Sequence, residues 1–485
     1  MRKIKWNIIY GMLITCAFFL LLLVRLEFFQ KNEAEDIKIS TPYQPQDIWM
    51  NIYQNNQKIG FVHRTFTRKD ERFLFNENVL MNINTMGLNQ AINILTEGEL
   101  NPDMTLSSFN FNLSSGIFRF NARGHVVKDK LILFTGLPDA LEKSEIHLKD
   151  IPHISGSIYD AAFYADLEKE KTGAFNIFDP STMSIRSIKV TRNADEIILI
   201  MGKRVLTKKY CTDFMGVQNC AWLDKEGNIL KETGLLGISM ERTSKEKAME
   251  GSTYGKGIDF TQLVSIPSNV KITDPQKINV IKINISGIND SLFLNGDRQS
   301  YHQNTLTIIK ENVLPISKSG LKIPSHAASF LNPSPFIQSN HQQIKTQLEK
   351  IITHSDTDDQ KAKKIIDWVY RNIEKKPILS VPNALEVLKN KSGDCNEHSV
   401  LTVALLRAAG IPAQVEAGLV YLRGRFYYHA WCVLYLDNWI TADSVFNQFP
   451  ADVTHIRLVR GDSDKQLNLI GVIGKMKLEV LEIIR

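Results

Sequence analysis

Three residues whose side chains together support thiol chemistry occur in the C-terminal part of the chain: Cys395, His429 and Asp443. A thiol can attack a carbonyl carbon, an imidazole can exchange the proton, and a carboxylate can hold the imidazole in the required tautomer. The combination predicts acyl transfer through a thioester, with these three residues as the catalytic group. The sequence identifies no substrate-binding residue.

The cysteine is expected at the start of a helix. Cys395 follows Gly393 and Asp394 and opens a run of good helix formers that Gly410 and Pro412 close. Unpaired N–H groups and the positive end of the helix dipole favour an anion in a first turn, so we expect a thiolate near neutral pH. The same N–H groups suit a developing oxyanion.

The histidine and the aspartate are expected on neighbouring strands. Residues 413–422 and 426–436 predict a hairpin, and residues 439–443 predict a third, short strand. His429 lies in the second strand and Asp443 ends the third. Antiparallel pairing of these strands would place the carboxylate beside the imidazole.

From about residue 340 to residue 460, the sequence resembles the transglutaminase-like domain, a branch of the papain-like cysteine enzymes. The shared motifs are Gly393-Asp394-Cys395 with Gly410-Ile411-Pro412, then His429-Ala430-Trp431, then Asp443. Ser444 and Val445 stand where the family usually has proline and threonine. The resemblance implies that Cys395 is the nucleophile, His429 its acid–base partner and Asp443 the carboxylate, with no cofactor and no metal.

A zinc site is the alternative for these residues. Cys395 and His398 lie three positions apart on one helix face, and His429 would be a third ligand. No second Cys-x-x-Cys or His pair completes a tetrahedral set. We therefore expect His398 to be a hydrogen-bonded neighbour of the site.

The reaction and the class of function stay open at this point. If water resolves the thioester, the protein is a peptidase or amidase; if an amine does, it is a transglutaminase. The other class is a catalytically inactive transglutaminase-like scaffold, whose β-rich region would bind a peptide, lipid or protein partner.

The N-terminus predicts a membrane anchor. Arg2, Lys3 and Lys5 precede residues 6–24, which carry no charge and are just long enough to span a bilayer. We expect a single-pass protein of the bacterial inner membrane, with the N-terminus cytoplasmic and the bulk periplasmic or extracellular. A cleaved signal peptide is a weaker alternative, because the sequence after the apolar run has no small-x-small cleavage site. A lipoprotein acylated at Cys16 is also weaker, because Thr15 is a poor residue before the modified cysteine.

The fold class expected for the whole chain is α+β with an N-terminal transmembrane helix: a papain-like, transglutaminase-like domain following a large antiparallel β-rich region. The predicted divisions are an anchor at 1–30, a tether at 31–45, a β-rich curved-sheet domain at 46–265, a small β-rich linker region at 266–335 and the catalytic domain at 336–485. Helices are predicted near 158–171 and at Thr357–Glu374, and Asn383 is predicted to cap a short helix.

The cysteines and the distribution of charge limit which partners and which compartment are expected. Of the five cysteines, Cys211 and Cys220 flank a turn and form either a disulfide or two buried thiols, while Cys432 points away from His429 as buried filler. The net charge of +6 is scattered, without a basic tract or a phosphate-binding loop, so nucleic acid is not an expected partner. The expected partners are a peptide or protein substrate in the cell envelope, the inner membrane through residues 6–24, and a lipid or protein on the β-rich domain.

Overall fold

The computed structural model describes residues 45–485, except for 86–87, 117, 138–139, 168–170, 215–216, 235–236, 252–258, 260, 262–263, 290, 316–320 and 378–380. The predicted anchor at 1–30, with its span at 6–24, lies outside the described residues, and so does all but the last residue of the tether. Within the described ranges, no helix is both long enough and apolar enough to cross a membrane.

The prediction of an α+β chain with a transmembrane helix is wrong for the part that the structure describes. Strands hold 50% of the residues and helices 19%, so the chain is mainly β. The reason is the size of the N-terminal sheet, to which the C-terminal region adds further sheets. The structure contains the helices predicted around Cys395, but they account for a small share of the residues.

The N-terminal region is a largely antiparallel sheet of 16 strands. Its strands are β1 (Gln46–Gln54), β2 (Gln57–Lys69), β3 (Arg72–Thr85), β4 (Leu88–Leu100), β5 (Leu106–Ser115), β6 (Phe118–Val127), β7 (Lys130–Leu137), β8 (Ala140–His147), β9 (His153–Ile154), β10 (Thr172–Asp179), β11 (Ser184–Arg192), β12 (Glu196–Ile200), β13 (Lys203–Phe214), β14 (Val217–Leu223), β15 (Ile229–Thr233) and β16 (Ile238–Thr243). From β1 to β8, neighbours along the chain are neighbours in the sheet, and β16 returns to pair with β1. The short β9 pairs with β10 in parallel.

One face of this sheet carries the core. Along β1, Ile48, Met50 and Ile52 are buried, as the period of two along a strand requires. A short helix, α1 (Ile158–Tyr164), packs on the same face, with the Tyr164 ring 6.3 Å from the Phe66 ring. It is shorter than the predicted helix because the chain turns just after it.

A buried ion cluster joins α1 to the sheet. The guanidinium of Arg64 is 2% exposed and lies 2.5 Å from the carboxylate of Asp160, 3.6 Å from Glu232 and 4.0 Å from Glu77. Burial raises the pKa of Glu232 to about 7, although Arg64 opposes the shift. One cation therefore balances three carboxylates with little access to water.

The helices after α1 lie mostly in the C-terminal region. They are α2 (Lys245–Met249), α3 (Ser325–Ala328), α4 (Gln342–Glu349), α5 (Asp358–Asn372), α6 (Ala384–Asn390), α7 (Cys395–Ala408) and α8 (Ser463–Gln466). Single 3-10 turns occur at Ser155–Ser157, Pro275–Lys277, Ser329–Leu331 and Leu467–Gly471. The predicted helix starts at Thr357 and Asn383 are confirmed: Thr357 forms a capping box with Gln360, and the Asn383 side chain accepts the N–H groups of the first turn of α6.

The remaining strands build a five-stranded sheet, a four-stranded sheet and one short parallel pair. They are β17 (Ile266–Pro267), β18 (Val280–Ser286), β19 (Gln299–His302), β20 (Thr305–Ile309), β21 (Glu374–Lys375), β22 (Ser392–Gly393), β23 (Ala413–Leu422), β24 (Arg425–Leu436), β25 (Asn438–Ala442), β26 (Ile456–Arg460) and β27 (Lys477–Ile484). The five-stranded sheet has the order β17-β24-β23-β26, with β25 also on β24, and it packs against α7. The predicted hairpin and third strand are confirmed.

The four-stranded sheet ties the end of the chain to the segment before α3. Its order is β19-β20-β18-β27, and Ile281, Ile283 and Ile285 of β18 are fully buried in it. β17 instead joins the five-stranded sheet through β24. The domain boundaries drawn from the sequence stay predictions.

The structure shows the oxidation state of four of the five cysteines, including the pair that the sequence left open. Cys211 and Cys220 face each other across β13 and β14 and form a disulfide. Cys395 and Cys432 are free thiols. Cys432 is 1% exposed, and its thiol donates to the carbonyl of Ala442 at 3.3 Å, as expected for a side chain directed away from His429.

The Arg64 cluster predicts a large and pH-dependent stability effect. Arg64→Met leaves buried carboxylates without their cation, and we expect the free energy of unfolding to fall by about 3 kcal/mol or more at pH 8. The loss should be smaller at pH 5, because the carboxylates then regain protons. Urea unfolding at both pH values measures it.

A matched control is Arg72→Met, which removes a half-exposed pair with Glu99 at 2.9 Å. That change should cost less than about 1 kcal/mol. Equal losses for the two variants, or a loss at Arg64 independent of pH, would contradict the assignment of Arg64 as the balancing charge.

Candidate active site

The glycine–aspartate–cysteine motif builds the start of α7. Cys395 is its first residue, and Asp394 caps it: the Asp394 side chain accepts the N–H of Glu397, while the Glu397 carboxylate accepts the N–H of Asp394 at 2.9 Å. Glu397 is 1% exposed. A Cβ at Gly393 would lie 2.3 Å from the Cβ of Glu397, so only glycine leaves room for this cap.

The sheet brings the other two predicted residues together. His429 lies on β24, and β25 pairs with β24 so that Ala442 faces Cys432. Asp443 follows directly, and its Oδ2 lies 2.7 Å from Nε2 of His429. Because Nε2 is engaged by the carboxylate, Nδ1 is the nitrogen left to exchange a proton with a thiol.

The turn after Asp443 differs from the usual family sequence and is held in another way. Oδ1 of Asp443 accepts the N–H groups of Val445 at 2.6 Å and of Phe446 at 3.2 Å. The hydroxyl of Thr402 on α7 donates to the hydroxyl of Ser444 at 2.8 Å. The serine therefore links the cysteine helix to the aspartate turn.

Cys395 and His429 line the same cavity, which has a volume of about 780 Å³. Thr85, at the end of β3, contributes to the wall, as do Asp259 and Phe446. The side-chain amide of Gln90 on β4 donates to the carbonyl of Pro377 at 2.6 Å. The N-terminal sheet thus reaches the cavity around Cys395.

The electrostatics of Cys395 differ from the sequence prediction. Burial raises the pKa of its thiol well above the usual range, the neighbouring Asp394 adds to the rise, and the N–H of Ala430 opposes it. This direction opposes the thiolate expected from the helix N-terminus and favours a thiol as the resting group. Any base that activates it has to take the proton during the reaction.

Two further residues belong to the site and were not identified from the sequence. Oδ2 of Asp443 also lies 3.0 Å from Nε2 of His455, which is 0% exposed. Nδ1 of His455 lies 3.3 Å from the carbonyl oxygen and 3.4 Å from Oδ1 of Asp452. The sequence offers one hint: Asp452 and His455 are polar residues in the short segment just before strand β26.

Burial by itself would lower the pKa of His455, but hydrogen bonds to Asp443 and Asp452 outweigh it and raise the pKa to about 9. His455 is therefore a buried imidazolium at neutral pH. For Asp443, burial acts upward on the pKa, yet His429 and His455 hold it well below its usual range. The carboxylate is ionised.

The zinc alternative is not supported by the described residues. His398 is 0% exposed, and its Nδ1 lies 2.8 Å from the carbonyl oxygen of Asp394, as a hydrogen-bonded neighbour would. In the described part of the chain, the group compact enough to hold a metal ion is His429, Asp443 and His455. Tetrahedral zinc would separate its ligand atoms by about 3.4 Å, whereas His429 and Asp443 are at a hydrogen-bond distance of 2.7 Å.

Comparison with known proteins agrees with the motif reading of this region. Residues 345–444 match the transglutaminase-like superfamily. This part of the chain is a transglutaminase-like domain. The match contains Cys395, His429 and Asp443 and supports a cysteine-enzyme family for the domain. Asp452 and His455 lie beyond the matched residues.

Solved structures give weaker similarities. A provisionally assigned cysteine protease of Cytophaga hutchinsonii is 17% identical, with a TM-score of 0.29 over 42% of this chain and 84% of its own. A β-barrel-like protein of Brucella abortus, a domain of unknown function, is 10% identical, with a TM-score of 0.33 over 42% and 97%. A provisionally assigned protease of Parabacteroides distasonis is 12% identical, with a TM-score of 0.21; the match covers 76% of this chain and 63% of the other. These scores carry no argument about fold or function, and no curated protein matches the chain in sequence.

The raised pKa of His455 predicts how stability depends on pH. The folded protein holds this proton up to about pH 9, against an ordinary value of 6.5, so the associated stabilisation is complete below pH 6.5 and is lost as the pH rises to 9. The loss should reach about 3 kcal/mol of unfolding free energy. The difference between the urea unfolding curves of wild type and His455→Gln isolates it.

A variant curve that falls over this pH range as steeply as that of wild type would contradict the assignment. His354→Gln, at an exposed loop position, is the matched control and should keep the wild-type dependence.

Proposed function

We propose that the protein is a cysteine acyl-transfer enzyme that acts on amide bonds through Cys395, His429 and Asp443. The observation that carries the proposal is that Cys395 and His429 line one cavity, with His429 hydrogen-bonded to the buried Asp443. The transglutaminase-like assignment of residues 345–444 is consistent with it.

The proposed formation of the thioester starts from Cys395 in its thiol form. His429 takes the proton of the Cys395 thiol as Sγ attacks the amide carbonyl carbon, and Asp443 stabilises the imidazolium that forms. In the proposed mechanism, the oxyanion is held by N–H donation from the first turn of α7, where Asp394 already engages the N–H groups of Cys395 and Glu397. The imidazolium then gives its proton to the departing amine as the C–N bond breaks, which leaves a thioester on Cys395.

A second nucleophile resolves the thioester, with His429 again taking its proton. Water gives a peptidase or amidase, and a primary amine gives a transglutaminase. The cavity around Cys395 is wide enough for either, so the proposal covers both.

The proposed substrate is a peptide or protein. The cavity is lined by Val420, Leu422 and Phe446 of the C-terminal region and by Thr85 of the N-terminal sheet. An extended peptide can contact both regions, whereas a small amide need not. This favours a polypeptide whose neighbouring residues are recognised by the sheet.

The proposed location is the bacterial envelope, outside the cytoplasm. Support comes from the Cys211–Cys220 disulfide, because such bonds persist in oxidising compartments.

A catalytically inactive scaffold is the second candidate, in which the N-terminal sheet binds the partner. The observation that favours it is the raised pKa of Cys395, which makes the free thiol a poor nucleophile unless a base assists it. The two candidates differ in one outcome: whether a thioester forms on Cys395.

The first test follows turnover and the thioester together. Wild-type protein is incubated with a pool of glutamine-containing peptides, with and without an excess of a biotinylated primary amine, and is analysed by mass spectrometry. We expect cleaved or amine-linked peptides and an acyl adduct on Cys395. Cys395→Ala should lower turnover by at least about a thousandfold.

The matched control is Cys432→Ser, which keeps a hydroxyl donor for Ala442 in place of the other free thiol and should retain activity. Activity that survives in Cys395→Ala would exclude the proposed nucleophile. Peptide binding without any adduct, equal in wild type and Cys395→Ala, would select the scaffold.

The shared cavity wall predicts an effect of the N-terminal sheet on long substrates. Thr85→Trp places a bulky ring at the wall, and we expect kcat/KM to fall about tenfold or more for an extended peptide. Alkylation of Cys395 by iodoacetamide should stay unchanged, because that reagent needs no contact with the sheet.

Thr67→Trp, at an exposed position of β2, is the control and should behave as wild type. Equal kinetics for Thr85→Trp and wild type on long peptides would remove the sheet from substrate recognition.

A further inference from the structure

One carboxylate oxygen joins two imidazoles in the site. Oδ2 of Asp443 lies 2.7 Å from Nε2 of His429 and 3.0 Å from Nε2 of His455. The two ring centres are 6.0 Å apart. Only His429 reaches the cavity, while His455 is 0% exposed behind it.

Both ring nitrogens of His455 face acceptors. Nε2 faces Asp443, and Nδ1 faces the carbonyl oxygen of Asp452 at 3.3 Å and its Oδ1 at 3.4 Å. A neutral imidazole has a lone pair on one nitrogen, which would point at an oxygen and repel it. The arrangement therefore selects the doubly protonated ring, in agreement with the pKa of about 9.

The carboxylate behind His455 is itself held in the ionised form. Oδ1 of Asp452 accepts the hydroxyl of Thr454 at 2.6 Å, and Oδ2 accepts the amide of Gln448 at 2.9 Å. Burial acts upward on the pKa of Asp452, but His455 and Thr454 hold it well below its usual range. Carboxylate and imidazole thus alternate from Asp452 through His455 and Asp443 to His429.

Other charged groups lie near the four residues from Asp452 to His429. Arg298 donates to the carbonyl oxygen of His455 at 2.9 Å, and its charge is paired with Glu311 at 3.3 Å. On the cavity side, the carboxyl group of Asp394 interacts electrostatically with His429. The other titratable side chains that line the cavity with His429 include Asp259, Lys375, Lys376, Cys395 and Arg423. The rings of Trp431 and Phe446 complete the surroundings of His455.

We propose that His455 is a positioning residue that acts through Asp443: its buried positive charge opposes a second proton on His429 and so keeps that imidazole free to accept the proton of Cys395. The inference rests on the proposed function, in which His429 is the base. Without His455, the whole charge of Asp443 would act on His429 and favour the imidazolium. A protonated His429 beside a protonated thiol would be inactive.

The test measures the protonation of both histidines directly. Full-length protein is labelled with 13C at Cε1 of its histidines, and the ring signals are followed by NMR from pH 5 to pH 10. Variants at His429 and His455 assign the two signals among the 11 histidines. We expect His455 to remain protonated to about pH 9.

Two variants then remove the charge. His455→Gln keeps a neutral donor toward Asp443, and Asp452→Asn removes the carboxylate that holds the second proton. In both, the titration midpoint of His429 should rise by about one pH unit or more, which is a tenfold change in the proton equilibrium. The acid limb of the rate of Cys395 alkylation by iodoacetamide should move to higher pH by the same amount.

His354→Gln is the control and should change neither quantity. An ordinary midpoint near 6.5 for His455 in wild type would overturn the inference without any variant, so the test does not depend on folding of His455→Gln. A His429 midpoint unchanged in both variants, even with a uniformly lower rate, would reduce His455 to a packing role.

The same data separate this inference from the proposed function. If His455 stays protonated and controls His429, but no amide forms an adduct on Cys395, the electrostatic role stands and the enzyme proposal fails. If adducts form and the titration midpoint of His429 does not change when His455 is replaced, the enzyme proposal stands and this inference fails.

Discussion

The ionised carboxylate of Asp443 is the group on which the rest of the site depends. It is 0% exposed, and a buried carboxylate is tolerated only when its acceptor positions are filled. An ionised carboxyl group offers about four such positions, and Asp443 uses them for the N–H groups of Val445 and Phe446 and for the two imidazoles. Its position is therefore fixed from four directions, and that fixes the ring of His429.

The segment that carries this carboxylate is held from outside the matched domain. Arg298, just before the second strand of the four-stranded sheet, donates to the carbonyl oxygens of Ala451 at 2.7 Å and of His455 at 2.9 Å. Glu311 accepts the N–H of Thr441 at 3.1 Å. Arg298 and Glu311, which flank β19 and β20 of the four-stranded sheet, thus hold the chain on both sides of Asp443. The position of that sheet therefore has a role in the geometry of the site.

Local signals in the sequence predict much of the structure around the cysteine. The Asn383 cap, the start of α7 at Cys395 and the strand that carries His429 depend on neighbouring residues, and all are found. The overall fold class depends instead on how many strands join one sheet, and pairings such as β18 with β27 connect residues far apart in sequence. His455 was missed for the same reason, because its partners become visible only when the loop after Asp443 closes. The pKa of Cys395 shifts in the direction opposite to the sequence expectation because helix position is a local property and burial is not.

The raised pKa of Cys395 suits the oxidising environment of the proposed location. Thiolates, not thiols, attack disulfides and are oxidised first, and a compartment that preserves the Cys211–Cys220 disulfide exposes any free thiolate to both reactions. A thiol that burial and Asp394 keep protonated resists them until a substrate carbonyl is in place. The proton then needs an acceptor inside the cavity, and in the proposed mechanism that acceptor is His429, with His455 behind its carboxylate partner. The raised pKa of the thiol and the pairing of two histidines on Asp443 are, under the proposed mechanism, two parts of one arrangement.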